Sequence, residues 1–260
     1  MLFNLAEVKK ALYPMKEYED LCRRWQTPFS YPFVQKRFNF TMPQLAGYTA
    51  FLLGGDSRRR YGSYASQLIG TLRELGDAGV QDLRDLLAQV GSREQLQRFA
   101  ERHRIPAHEI VAVLKYLVYW VIPMEKPLSG LVPGNPFLSE ALKTLREVGI
   151  RTNLDLLQQG LTPAQRQALA RRSGLPQELI LELVNRADLS RMPWASKATI
   201  SNIMGAGYGS LARLANADPR QLYADFFRYG ERIGKDLKYG NEIENSYRIA
   251  KIVPVLLKNG

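Results

Sequence analysis

The chain has 260 residues, 45% of them hydrophobic, enough to bury a core and too many for a disordered chain. One cysteine, Cys22, excludes an intramolecular disulfide and a multi-cysteine zinc site, and two histidines, His103 and His108, are too few for a histidine-rich metal centre. The net charge of +11 speaks to partners rather than to fold, and nucleic acid, anionic lipid and acidic protein surfaces all fit it.

The first residues, Met1-Leu2-Phe3-Asn4-Leu5, lack the basic start and long apolar run of an export signal, so a reducing, cytoplasm-like compartment is expected. Leu5, Val8, Leu12, Met15 and Tyr18 recur at three- and four-residue steps, which predicts helix, broken at Pro14. From 25 to 43 the character changes. Pro28, Pro32 and Pro43 argue against a continuous helix, and Phe29, Tyr31 and Phe33 alternate, as do Phe38 and Phe40. This predicts an extended arm with one aromatic face. The arm either packs on its own domain or inserts its aromatics into a partner. On the second reading Trp25, Phe29, Tyr31, Phe33, Arg37, Phe38 and Phe40 are the anchors. Thr41 then caps a short helix that ends at Gly54-Gly55. Arg58, Arg59 and Arg60 follow, with a Gly62-Ser63 turn beside them. They form a solvated basic loop or, with Gly62, a contact for phosphate or carboxylate.

The remainder is repetitive. With an offset of 70, residues 72–123 align without gaps on 142–193. Gly79 matches Gly149, Asp85-Leu86-Leu87 matches Asp155-Leu156-Leu157, and Pro106 matches Pro176. Each Gly suits a left-handed helix end. Ser92, Thr162 and Asp218 each open a helix with Gln three residues on, placed to bond back to the cap. A partial third copy contains Gly205-Ala206-Gly207-Tyr208, and a last helix over 241–253 carries Ile243, Tyr247, Ala250 and Val253 on one face. The fold class is all-α: tandem helical repeats behind an aromatic, proline-interrupted arm. The segments are 1–57, 58–128, 129–191 and 192–260.

The most apolar stretch, 110–124, contains Lys115 and is shorter than the roughly 20 residues a bilayer span needs. Its counterpart in the second copy carries Glu182, Asn185 and Arg186, so Tyr116, Tyr119 and Trp120 need an apolar neighbour: the arm, a partner or lipid.

No catalytic constellation is visible. His103 and His108 are five apart with Pro106 between them, the wrong step for a helical metal pair. Cys22 beside Arg23-Arg24 lacks a general base and reads as a buried or incidental thiol. There is no phosphate-loop lysine motif and no dinucleotide fingerprint. No enzyme activity, cofactor, metal or small-molecule substrate is expected.

The run Leu189-Ser190-Arg191-Met192, a short hairpin, residues 198–203, Ala206-Gly207-Tyr208 and Asp218-Pro219 together resemble a helix-hairpin-helix-like family of unknown function found in bacteria. The resemblance is clearest over 142–222, and the repeat carries it back to 72. It implies tandem helix-hairpin-helix units. Units of this kind that grip DNA use a Gly-apolar-Gly hairpin whose backbone N–H groups meet phosphate. Here that place holds Trp194-Ala195-Ser196 in the third copy and Gly134-Asn135-Pro136-Phe137-Leu138 in the second. In the first it falls at Gly62-Ser63-Tyr64.

The expectation is a non-catalytic basic scaffold or linker that binds acidic protein partners in a larger assembly. Nonspecific binding of duplex nucleic acid is the alternative, and a peripheral subunit of a membrane complex the weaker one. The expected location is the cytoplasm, in association with a large complex or a membrane surface.

Overall fold

A computed structural model of the chain describes residues 2–54, 59–132, 134–193, 195–237 and 241–258, without the side chains of residues 59–61 and 241–242. The fold is all-α. The described residues form helices and two isolated β-bridges, with no strand among them. The chain divides into two compact units, Met1–Ile122 and Pro123–Gly260.

The first unit contains α1 (Leu5–Leu12), α2 (Tyr18–Phe29), α3 (Pro32–Arg37), α4 (Met42–Leu53), α5 (Arg59–Asp77), α6 (Leu83–Val90), α7 (Arg93–His103) and α8 (Ala107–Trp120). The extended arm expected over 25–43 is helical instead. Its prolines stand at helix ends: Pro28 in the last turn of α2, Pro32 at the start of α3 and Pro43 at the start of α4. A proline in the first turn removes no hydrogen bond, so Pro32 and Pro43 start helices rather than prevent them, while Pro28 stands one residue before the end of α2. The described residues 2–54 belong to the same compact unit as α5 to α8.

At the centre of this unit lies α8, with Ile110, Val111, Val113, Leu114, Tyr116, Leu117 and Val118 buried. It packs against α1, α2, α5 and α7. The excess of apolar residues over 110–124 is thereby met inside the chain, by the N-terminal helices. Lys115 reaches across to the carbonyls of Ala11 and Tyr13 at the end of α1.

Among the described residues the second unit contains a 3-10 turn (Leu128–Gly130) and eight helices. These are α9 (Pro136–Glu147), α10 (Asn153–Gln158), α11 (Pro163–Ser173), α12 (Gln177–Leu189), α13 (Lys197–Gly205), α14 (Leu211–Ala215), α15 (Pro219–Arg232) and α16 (Asn241–Ala250). α12 packs against α10, α11, α13 and α14. After α16 the chain stays buried at Val253 and Leu256. Arg166 donates to the Lys258 carbonyl and Arg191 to that of Pro254, and the Lys258 N–H returns to Leu161.

The local geometry recurs along the chain. Gly79, Gly149 and Gly207 have φ of 90°, 84° and 100°. The next N–H in each case closes on the carbonyl five residues back: Val80 to Leu75, Ile150 to Leu145 and Tyr208 to Ile203. Only glycine takes that backbone shape at no steric cost. α7 and α11 begin 70 residues apart, as do α8 and α12. In the gap before each of those last two helices stands a left-handed residue, Arg104 (φ 58°) and Gly174 (φ 70°). The reciprocal bond from Gln to the cap forms at Thr162–Gln165. It does not form at Ser92 or Asp218, where Gln95 donates to the Ala88 carbonyl and Gln221 to Asp225.

A parallel that the sequence alone hides links the turns. Thr41 bridges to Asp82, and the Leu83 N–H reaches the Phe40 carbonyl. Pro127 bridges to Thr152, and the Asn153 N–H reaches the Lys126 carbonyl.

Candidate partner-docking site

The expected arm anchors face inward. Trp25, Phe29, Phe33, Phe38 and Phe40 are buried in the first unit, Tyr31 is half-buried and Arg37 exposed. Their rings pack on one another, Trp25 on Phe29 at 6.5 Å, Tyr31 on Phe33 at 6.0 Å and Phe40 edge-on to Tyr48 at 5.1 Å. Buried rings cannot seat in a partner, so the arm supplies core rather than an interface. Tyr116 is buried too and stacks on half-buried Trp120 at 6.4 Å; Tyr119 is half-buried beside them. Of the expected anion contacts, Arg58 and the side chains of Arg59 and Arg60 lie outside the described residues. Gly62 is exposed within the body of α5, so it makes no turn beside them.

The hairpins that would hold phosphate have other occupants. In the second copy Asn135 accepts from the Phe137 and Leu138 N–H groups at the start of α9. In the third copy Ser196 accepts the Thr199 N–H of α13. Ahead of it three described N–H groups are taken up locally, Arg191 by Asp188 O, Met192 by Leu189 O and Ala195 by Met192 O. Lys126 closes this hairpin from behind. Its Nζ donates to Ser190 O at 2.8 Å and Ala195 O at 3.0 Å. Asn153 ties the same place together, donating to Met124 O and to Ser190 Oγ. Burial lowers the Lys126 ammonium to a pKa of about 8. In the first copy Gly62-Ser63-Tyr64 is helical, so no hairpin exists there.

The surface that stands out is on α15. Leu222, Phe226 and Gly230 are buried, and Phe226 stacks on Tyr208 at 6.5 Å. Tyr223 and Phe227, four residues apart and so on one helical face, remain 53% and 51% exposed. Arg220, Arg228 and Arg232 are exposed along the same helix. Two of these arginines are held in place. Arg228 pairs with Asp225, and Arg232 donates to Gly205 O at 3.1 Å while lying over the Tyr229 ring at 5.2 Å. With Gly205, Ala206, Asp225 and Tyr229 they line a pocket of about 320 Å³. Asp225 also accepts from Tyr208 and Gln221. Burial opposes its ionisation, but these hydrogen bonds and Arg228 outweigh it and hold the carboxyl below its ordinary value. The Tyr208 phenol is pushed up to about 12, by burial first and by Asp225 second. The sequence signal was present: aromatics at 223, 226, 227 and 229 are more than one buried stripe can use.

Elsewhere, His103 stacks on Phe99 at 4.4 Å and His108 lies 4.0 Å from Glu109. Among the described residues no group of three or more His, Cys, Asp or Glu is placed to hold a metal ion. Cys22 is buried, and burial pushes its thiol up to about 11. Among those residues no helix is long and apolar enough to cross a membrane.

No curated protein and no solved structure matches the chain. Residues 136–236, which span α9 to α15, match the family model of a domain of unknown function, DUF4332.

Proposed function

We propose that the protein is a non-catalytic basic helical scaffold or linker that binds acidic protein partners in a larger assembly. The observation that carries this reading is α15, which leaves Tyr223 and Phe227 half exposed on one face and carries exposed Arg220, Arg228 and Arg232 along its length. Aromatic and arginine side chains dominate the energetic centres of protein interfaces. The fixed guanidinium groups suit carboxylates, and the +11 charge would speed encounter with an acidic surface. We read 72–123 and 142–193 as copies of one helix-hairpin-helix-like unit, with a worn third copy behind them. The common glycine closures and the 70-residue offset of their helices support that reading. The test is capture of partners by the full chain from nuclease-treated lysate, beside a Tyr223→Ser/Phe227→Ser variant. Partners that survive nuclease and are lost with the variant support the proposal. Loss of every partner on nuclease treatment, or equal capture by the variant, overturns it.

Nonspecific binding of duplex nucleic acid is the second reading, supported by the net charge of +11 and by exposed Arg171 and Arg172 at the end of α11. It predicts affinity for random duplex that falls steeply with salt. Absence of binding at low salt eliminates it. The membrane reading loses the feature that prompted it, because α8 is covered by the chain's own helices.

A further inference from the structure

α15 carries a pocket that its exposed aromatics do not explain. At about 3.6 residues per turn, Asp225, Arg228, Tyr229 and Arg232 lie on the side of the helix away from Tyr223 and Phe227. With Gly205 and Ala206 from the end of α13 they line the pocket of about 320 Å³. That is near the small end of the range for ligand sites, about 300–1,000 Å³. It has room for one side chain and none for a helix about 10–12 Å across.

The walls of this pocket are set before anything binds. The Arg232 guanidinium donates to Gly205 O at 3.1 Å and lies over the Tyr229 ring at 5.2 Å. Gly205 makes room for that ring, because a Cβ there would stand 2.2 Å from it. A residue without a side chain, an aromatic shelf and a carbonyl thus fix the plane and direction of one guanidinium. Gly205 O takes one of its N–H donors, and the side chain is exposed, so other donors are in reach of a ligand. Arg228, one turn earlier, is held by Asp225, and Tyr208 and Gln221 in turn hold Asp225. Long side chains ordered in advance lose less freedom when they bind.

A guanidinium of fixed plane matches a planar carboxylate, which accepts two parallel N–H bonds. A phosphate monoester carries nearly twice the charge and would be repelled more strongly by Asp225. We propose that the pocket receives a single aspartate or glutamate side chain of a protein partner, and that Arg232 reads its carboxylate. The nature of the occupant rests on the proposed function, an acidic protein partner. The place does not, because it is separate from the aromatic face.

The test uses random peptides displayed from a carrier that blocks their C-termini, so that side chains supply the carboxylates. The peptides are selected on the full chain, and each acidic residue of the binders is then changed to its amide. Against the parent, one such change should cost about tenfold or more in affinity. Against Arg232→Gln the same change should cost about twofold or less. Arg232→Lys keeps the charge without the fork and should resemble Arg232→Gln. Arg220→Gln removes the same charge elsewhere on α15 and should resemble the parent. Arg232 is exposed at the helix end, and unchanged melting temperatures confirm that the variants fold. The proposal is overturned if no acidic peptide is selected, or if amidation costs the same against the parent and Arg232→Gln. It is equally overturned if Arg232→Lys binds as the parent does, or if Arg220→Gln lowers the cost of amidation as much as Arg232→Gln. It also fails if random duplex DNA displaces the peptides and itself binds Arg232→Gln about tenfold more weakly, because phosphate is then the occupant. None of these outcomes decides the proposed function, whose partners are tested through Tyr223 and Phe227.

Discussion

Asp188 and Arg191 form a closed ion pair inside the second unit, their side chains 3% and 0% exposed. Asp188 Oδ1 accepts from Arg191 Nε at 3.0 Å and Nη2 at 2.5 Å, and its other oxygen accepts the Leu211 N–H at 3.3 Å. Burial pulls the guanidinium below its ordinary value and Asp188 pushes it back. Removing one partner strands the other charge in the interior. Asp188→Ala should therefore destabilise the second unit by about 3–5 kcal/mol. Urea unfolding should show a lower midpoint, and a double replacement of both residues by apolar ones should recover much of the loss.

Lys126 is a different kind of cation, half-buried and held by two carbonyls. Lys126→Met leaves Ser190 O and Ala195 O without that donor and should cost about 1–3 kcal/mol. Its pH dependence has a definite sign. The folded pKa of about 8 lies below the ordinary lysine value of 10.5. Between those values the unfolded chain binds more protons, so stability rises with pH across that window. The stability of the parent relative to Lys126→Met should therefore increase from pH 8 towards 10.5. Paired denaturation curves measure it.

Two helical glycines should respond oppositely to alanine. At Gly205 a methyl carbon would lie 2.2 Å from the Tyr229 ring, displacing the ring on which Arg232 rests. Gly205→Ala should cost about 1–3 kcal/mol. At Gly47 it meets nothing within 4 Å, and Gly47→Ala should add about 0.5–1 kcal/mol through helix propensity alone. Thermal melts of the two variants should move in opposite directions.

Arg104 holds a left-handed backbone that its counterpart Gly174 adopts freely. Arg104→Gly should stabilise the first unit, and Gly174→Arg should destabilise the second, each by about 1 kcal/mol. Equal and opposite shifts in denaturation midpoint would show that the two positions are energetically equivalent.

Cys22 should be inert while the chain is folded. With its thiol pushed up to about 11 and its side chain buried, alkylation at pH 8 should run roughly 100-fold slower than in denaturant. Mass spectrometry of timed labelling measures it.

The all-α class and the helix ends were legible in the sequence because their signals are local. A left-handed glycine such as Gly149, a cap such as Thr162 and apolar residues at helical steps each declare themselves within a few residues. The arm was misread because Phe29, Tyr31 and Phe33 alternate in sequence while belonging to a helix end, a cap and the next helix. Pro32 and Pro43 were taken as breakers where they start helices. The α15 surface was missed for another reason. Phe226 and Phe227 are chemically alike, and only packing decides that one is buried and the other half exposed. Long-range polar contacts such as Lys126 to Ala195, 69 residues apart, leave no trace in spacing.

Those same long-range ties set an order of assembly on the ribosome. Arg166 and Arg191 take carbonyl acceptors from Lys258 and Pro254. The second unit therefore cannot complete its interior until those residues leave the exit tunnel. The first unit is a compact body that ends at Ile122, so it should fold while the second is still being made.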